Sequence, residues 1–202
     1  VTALTTITLS SPTLAADAGA TAIPVDRTAL STTVSDATDR IATLVGAYEY
    51  DAAQAQLNEL ASLALNEQER FLLARLTGDL ALARGNAAAA LAAYSEIQDI
   101  PGLSEAQRED ALLHRADALM AGGADYYKAA LDLYRQLSDM SGARNPDYLL
   151  RIASTLHRLK QIDAARVAVQ EAIAIYEDEA PRSAYMLLWR LTEDVEAKRQ
   201  VH

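Results

Sequence analysis

From Ser35 onward the apolar positions recur every three or four residues, and each run stops at a turn signal. Asp36 to Tyr48 carries Ile41, Leu44 and Val45, and Asp51 to Leu63 carries Ala53, Leu57, Leu60 and Leu63. Both spacings put the apolar side chains on one face of an α-helix. Asn66 followed by Glu67 and Glu69 reads as a helix start, because acidic side chains are favoured where the helix dipole is positive. That helix runs to about Arg84 and is closed by Gly85. Ala87 to Ile97 follows behind Asn86 and stops before Pro101-Gly102. Ser104 opens the next helix, which ends at Gly122-Gly123; Tyr126 to Leu137 then runs to the break at Ser141-Gly142. Asn145-Pro146 starts a helix reaching Leu159, Asp163 to Tyr176 is its partner, and Pro181 precedes a last helix from Ser183 to about Lys198. No segment alternates with the period of two that a strand requires. The pattern predicts an all-α chain of nine helices, four pairs and a final one.

The pairs are related to one another. In each second helix a small residue precedes a larger apolar one by four positions: Ala53/Leu57, Ala90/Tyr94, Ala130/Tyr134 and Ala165/Val169. Gly78, Ala116 and Ala153 sit at matching points of the first helices. Small residues at such points allow neighbouring helices to approach closely. One hairpin is too small to bury its own apolar face, so repeated hairpins are expected to stack as a solenoid.

This arrangement resembles the tetratricopeptide repeat (TPR), most closely from Leu76-Thr77-Gly78 through Gly85-Asn86 to Ala90 and Tyr94. Ile152-Ala153 through Leu156 to Ala165 and Ala172 is a second good match. The helix-end proline of the family is shifted or absent here, and Arg115 falls where a repeat usually has an apolar residue. The resemblance implies a right-handed solenoid of about four antiparallel helix hairpins plus a final helix, covering residues 28–202. A narrower resemblance lies in Ile100-Pro101-Gly102-Leu103-Ser104-Glu105 to Leu112, with Tyr94-Ser95-Glu96-Ile97 and Ser183 to Trp189. These segments are similar to periplasmic TPR proteins associated with TonB energy-transduction systems in Gram-negative bacteria. That similarity implies a periplasmic adaptor for TonB-dependent outer-membrane uptake. The alternatives are an adaptor for secretion or cell-wall assembly, and a cytosolic helical-repeat module accessory to an enzyme or regulator.

Composition sharpens the picture. Alanine supplies 42 of the 202 residues, the best helix former in a chain with 5% aromatics. The chain contains no cysteine, which removes thiol nucleophiles, disulfide frameworks and Cys-based zinc sites. No apolar run is long enough for a transmembrane helix. Net charge is −10 without a basic cluster in the sequence, which argues against nucleic acid as a partner. Residues 1–27 differ from the rest: nothing ionisable precedes Asp17, and a mildly apolar stretch is followed by Pro12 and Ala15-Ala16-Asp17-Ala18. They are expected to form a disordered leader or the remnant of a signal peptide.

No constellation of residues carries chemistry. The histidines are His114, His157 and His202, and Asp117 follows His114 by three positions without a third ligand in the pattern. The adjacent carboxylates Glu109/Asp110 and Asp178/Glu179 read as solvated helix ends. No catalytic residue, metal or cofactor is expected. Trp189 is expected to pack in the core, and of Tyr126 and Tyr127 one is expected to pack and the other to stay partly exposed. In a solenoid the first helices line the partner-binding groove, which places Arg75, Asp79, Asp117, His157 and Arg158 there. Asp79 and Asp117 hold equivalent places in successive repeats and would favour a basic segment of a protein partner.

Overall fold

A computed structural model describes residues 23–141 and 145–200, of which 194–200 are described for the backbone alone. Among these residues the chain is all-α: α1 Thr32–Gly46, α2 Tyr50–Ala61, α3 Glu67–Ala83, α4 Ala87–Glu96, α5 Glu105–Gly122, α6 Tyr127–Met140, α7 Pro146–Arg158, α8 Ile162–Tyr176 and α9 Arg182–Gln200. Short 3-10 turns sit at Arg27–Ala29, Ile97–Asp99, Ala124–Tyr126 and Glu177–Glu179.

The first helix begins four residues before its periodicity is evident. Ser31 caps it by accepting from the Val34 amide, whereas the β-branched Thr32, Thr33 and Val34 are poor helix formers by themselves. α3 and α5 open with capping boxes. Asn66 accepts from the Glu69 amide while Glu69 accepts from the Asn66 amide, and Ser104 and Gln107 exchange the same pair of bonds. Glu69 also accepts from the amide of Ser31 at 2.8 Å, so one buried carboxylate serves the N-termini of two helices. These amide donors hold its carboxyl below the usual range even though burial pushes it up.

The hairpin turns share one geometry. In α1–α2, α3–α4 and α7–α8 a left-handed residue, Tyr48, Gly85 or Lys160, ends the first helix. The next amide then donates back five residues, from Glu49 to Leu44, Asn86 to Ala81 and Gln161 to Leu156, at 2.8–2.9 Å. This is a Schellman closure. Gly123 stands at the corresponding point with a positive φ of 102° but an extended ψ of −167° and does not make this closure, so the turn positions recur every 37 or 38 residues. Seven residues before each of these positions stand Ile41, Gly78, Ala116 and Ala153, all buried. The alanines Ala53, Ala90, Ala130 and Ala165 are each 0% exposed. Three of them follow the left-handed residue by five positions. In the remaining case the 3-10 turn Ala124–Tyr126 lengthens the connection by two, which explains the uneven spacing of the alanines in the sequence.

Only Gly85 is free of the cost of a left-handed backbone at these closures. Tyr48, exposed and with φ 62°, bears it for no evident gain beyond an edge contact with the Tyr50 ring. Tyr48→Gly is therefore expected to raise the unfolding free energy by about 1 kcal/mol, read as an upward shift of the urea midpoint at unchanged slope.

The chain divides into two compact units. The first ends at Ala121 and contains α1–α5; the second begins at Gly122 and contains α6–α9. In the first, Phe71, Leu72, Leu76 and Leu80 of α3 pack with Ile41, Leu57, Tyr94 and Ile97. Ile23 and Val25 belong to the same core, so packed chain begins inside the segment read as a leader; residues 1–22 lie outside the described residues. Two apolar residues separated by one position share a side of an extended segment, a signal too short to stand out in sequence. In the second unit α7 and α8 pack through Ile152, Ala153, Leu156, Ala165 and Val169. α9 buries Ala184 and Leu191, and Trp189 is 64% exposed, contrary to the expectation of core packing. The buried positions are seven residues apart, which turns Trp189, Tyr185 and Met186 to the outer face.

Candidate functional site

The first unit contains a buried polar cluster. Arg75 and Asp79 stand one turn apart on α3, Tyr94 is on α4, and Asp110 and His114 stand one turn apart on α5. Arg75 is 3% exposed. Its Nε donates to Asp110 Oδ2 at 2.8 Å, its Nη1 to Asp79 Oδ1, and its Nη2 meets His114 Nε2. The Tyr94 hydroxyl donates to Asp79 Oδ1 at 2.7 Å, and the Tyr94 ring lies 5.8 Å from the guanidinium and 5.7 Å from the His114 ring. One guanidinium thus serves two carboxylates and an imidazole, using the planar fork of donors that lysine lacks.

Burial pushes the Asp110 carboxyl up, and the Arg75 guanidinium overrides this and holds it below its usual value. Burial and the neighbouring Arg75 push His114 down from 6.5, consistent with a neutral ring whose bare Nε2 accepts from Arg75. Burial pushes the Tyr94 phenol up. None of these three shifts prepares acid–base work near neutrality: the cluster satisfies itself. Among the described residues no three His, Asp or Glu side chains are grouped to hold a metal ion.

The cluster has a pH signature. The unfolded chain takes up a proton at His114 as pH falls through 6.5, but the folded chain resists it, so stability is lost below that point. Asp110 acts in the same direction at lower pH, where its stabilisation is lost as pH falls from 3.8 through the depressed folded value. The unfolding free energy is expected to drop by up to about 1.4 kcal/mol per pH unit just below pH 6.5. His114→Gln should abolish that step in urea titrations between pH 7.5 and 5. A step of unchanged size in the variant would assign it elsewhere.

The predicted groove residues fall into two groups. Arg75 and Asp79 come together, but inside the first unit and paired with each other, so Asp79 does not present its charge to a partner. Asp117, half-buried on α5, lies close enough for its charge to act on Tyr94 and His114. His157 and Arg158 belong to the second unit, at the end of α7. There they line a cleft of about 270 Å³ with Ser154, Lys160, Leu187 and Arg190. Arg158 is placed by Tyr127: its Nη1 donates to the phenol at 3.2 Å and its guanidinium lies 5.7 Å from the ring. Tyr127 is thus the more enclosed of the tyrosine pair, and Tyr126 is 46% exposed.

Sequence reading alone missed Asp110 and Tyr94 as partners of Arg75, and Lys160 and Arg190 as neighbours of Arg158. The available signal was two opposed charges four residues apart, Arg75/Asp79, on a helix otherwise apolar on that face. No protein-family model matches the sequence, and no significant match to a curated protein is found.

Proposed function

We propose that the protein is a non-enzymatic helical-repeat scaffold of the TPR type that binds a segment of another protein. The observation that carries this reading is the repetition of one hairpin closure at Tyr48, Gly85 and Lys160, with a fully buried alanine five residues after each. Recurrent hairpins with small residues at their crossings are the building units of solenoids, whose continuous surfaces hold extended or helical peptides. The period is 37 or 38 residues from turn to turn, slightly longer than the 34 residues typical of the repeat it resembles.

The test is to pan a random peptide display library against the immobilised chain. One convergent motif is expected, and a synthetic peptide bearing it should bind in solution with one site per chain. Failure to converge removes the reading. The narrower version, a periplasmic adaptor in TonB-linked uptake, rests on the sequence resemblance. Expression with the natural upstream region, followed by fractionation and intact-mass analysis, should give a shortened periplasmic product; an uncleaved product in the cytoplasm would remove it.

A further inference from the structure

We propose that the cleft between the end of α7 and α9 docks an acidic segment of the protein partner, through the side-chain carboxylates of that segment. This rests on the scaffold reading and names the chemistry of the partner.

The charge of the chain is unevenly divided. Residues 1–121 carry sixteen acidic and seven basic side chains, whereas residues 122–202 carry twelve and eleven. The second unit is therefore nearly neutral in a chain of net charge −10. Within it Arg158, Lys160 and Arg190 line one cleft with His157, and among the described residues no acidic side chain lines it. Among the described residues neither Lys160 nor Arg190 has an ion-pair partner, and Arg158 is held by the uncharged Tyr127.

Cations at a helix C-terminus commonly just complement the helix dipole. That accounts for His157 and Arg158 but not for Arg190, which comes from another helix. The carbonyls at the end of α7 do not require these side chains either. Those of Thr155, Leu156 and His157 accept from the amides of Leu159, Gln161 and Lys160. Lys160 is moreover kept in the left-handed region, φ 62°, where glycine would be less strained. The cleft is larger than a single small anion needs and includes Leu187, while Trp189 lies exposed beside Arg190 in the chain. Apolar surface beside cations suits a polypeptide carrying carboxylates. A long polyanion such as nucleic acid is disfavoured by the net charge of −10 that the chain carries.

The experiment titrates the full chain with an acetylated, amidated hexaglutamate peptide. It is followed by calorimetry and by the fluorescence of Trp189, the single tryptophan. Hexaglutamine serves as the uncharged control and inorganic phosphate as the small-anion probe. Saturable binding that weakens with salt is expected for hexaglutamate and none for hexaglutamine. Lys160→Gln with Arg190→Gln should weaken hexaglutamate binding about tenfold, two partly exposed ion pairs being lost. Both side chains are exposed, so circular dichroism and the melting temperature should not change, and Arg190→Lys should retain binding. Binding unchanged within twofold in the double variant overturns the proposal. So does equal binding of hexaglutamine, or phosphate that competes as well as the peptide. A display motif without acidic residues would overturn the docking chemistry and leave the scaffold intact; hexaglutamate binding without any display motif would do the reverse.

Discussion

Arg75→Met is expected to destabilise the chain by roughly 3–5 kcal/mol, the cost of leaving buried carboxylates without their cation. Two carboxylates depend on this guanidinium: Asp79 on the same helix and Asp110 on α5. Methionine fills much of the space but supplies no donor, so the loss is electrostatic rather than a cavity effect. The variant should also show a reversed pH response in the acid range. Without the cation, burial raises the folded carboxyl values above those of the unfolded chain. The penalty is then largest at neutral pH and is relieved as pH falls and the carboxyls take up protons. Urea unfolding of both proteins from pH 7.5 to 4 measures this directly. A difference between them that stays constant or widens on acidification would show that the carboxylates are not what Arg75 stabilises. Adding Asp79→Asn and Asp110→Leu to Arg75→Met should recover most of the loss, because the amide can still accept from Tyr94 while the charges are gone.

Gly78→Ala is the second large effect, and its sign runs against helix propensity. In an open helix the change gains about 1 kcal/mol. Here a Cβ would stand 2.2 Å from Cε1 of Tyr94 and 2.5 Å from its Cζ. The ring cannot step aside cheaply. Tyr94 is fully buried, its hydroxyl is held by Asp79, and Arg75 and His114 flank it. Overpacking of this kind costs typically ~1–3 kcal/mol and more where the neighbour is locked, so a net loss of about 2 kcal/mol is expected. Tyr94→Leu shortens the obstacle, and the double variant should lose less than the sum of the two single changes. A Gly78→Ala protein as stable as the parent would show that α3 and α4 are not held at this distance. The two predictions meet at Tyr94, which joins the tight helix crossing to the ionic cluster.

The sequence by itself determined the helices and the hairpins α1–α2, α3–α4 and α7–α8. Periodicity, caps and breakers act within a few residues, so Asn66, Gly85, Asn86, Ser104 and Pro146 mark boundaries that the structure keeps to within a residue or two. It also marked Gly78, Ala90 and Ala165 as crossing points, because close approach of two helices restricts the size of single residues wherever it occurs. Ser31 was less legible as a cap, since the residues after it disfavour helix until α3 packs and Glu69 takes up the Ser31 amide.

Only the tertiary structure decided where the charges go. Arg75, Asp79, Asp110 and His114 read as surface residues of two separate helices, and nothing local says that α3 and α5 meet along those turns. Electrostatic pairing depends on distance and burial, neither of which sequence spacing records between elements. Trp189 was misjudged for a related reason: a helix with apolar residues on both sides does not announce which side its neighbour covers, and α8 covers Ala184 and Leu191. The basic cleft is the same lesson in the opposite sense. Arg158 and Lys160 are thirty-two and thirty residues from Arg190 and form no cluster with it in sequence, and the packing of α7, α8 and α9 brings them to one cavity.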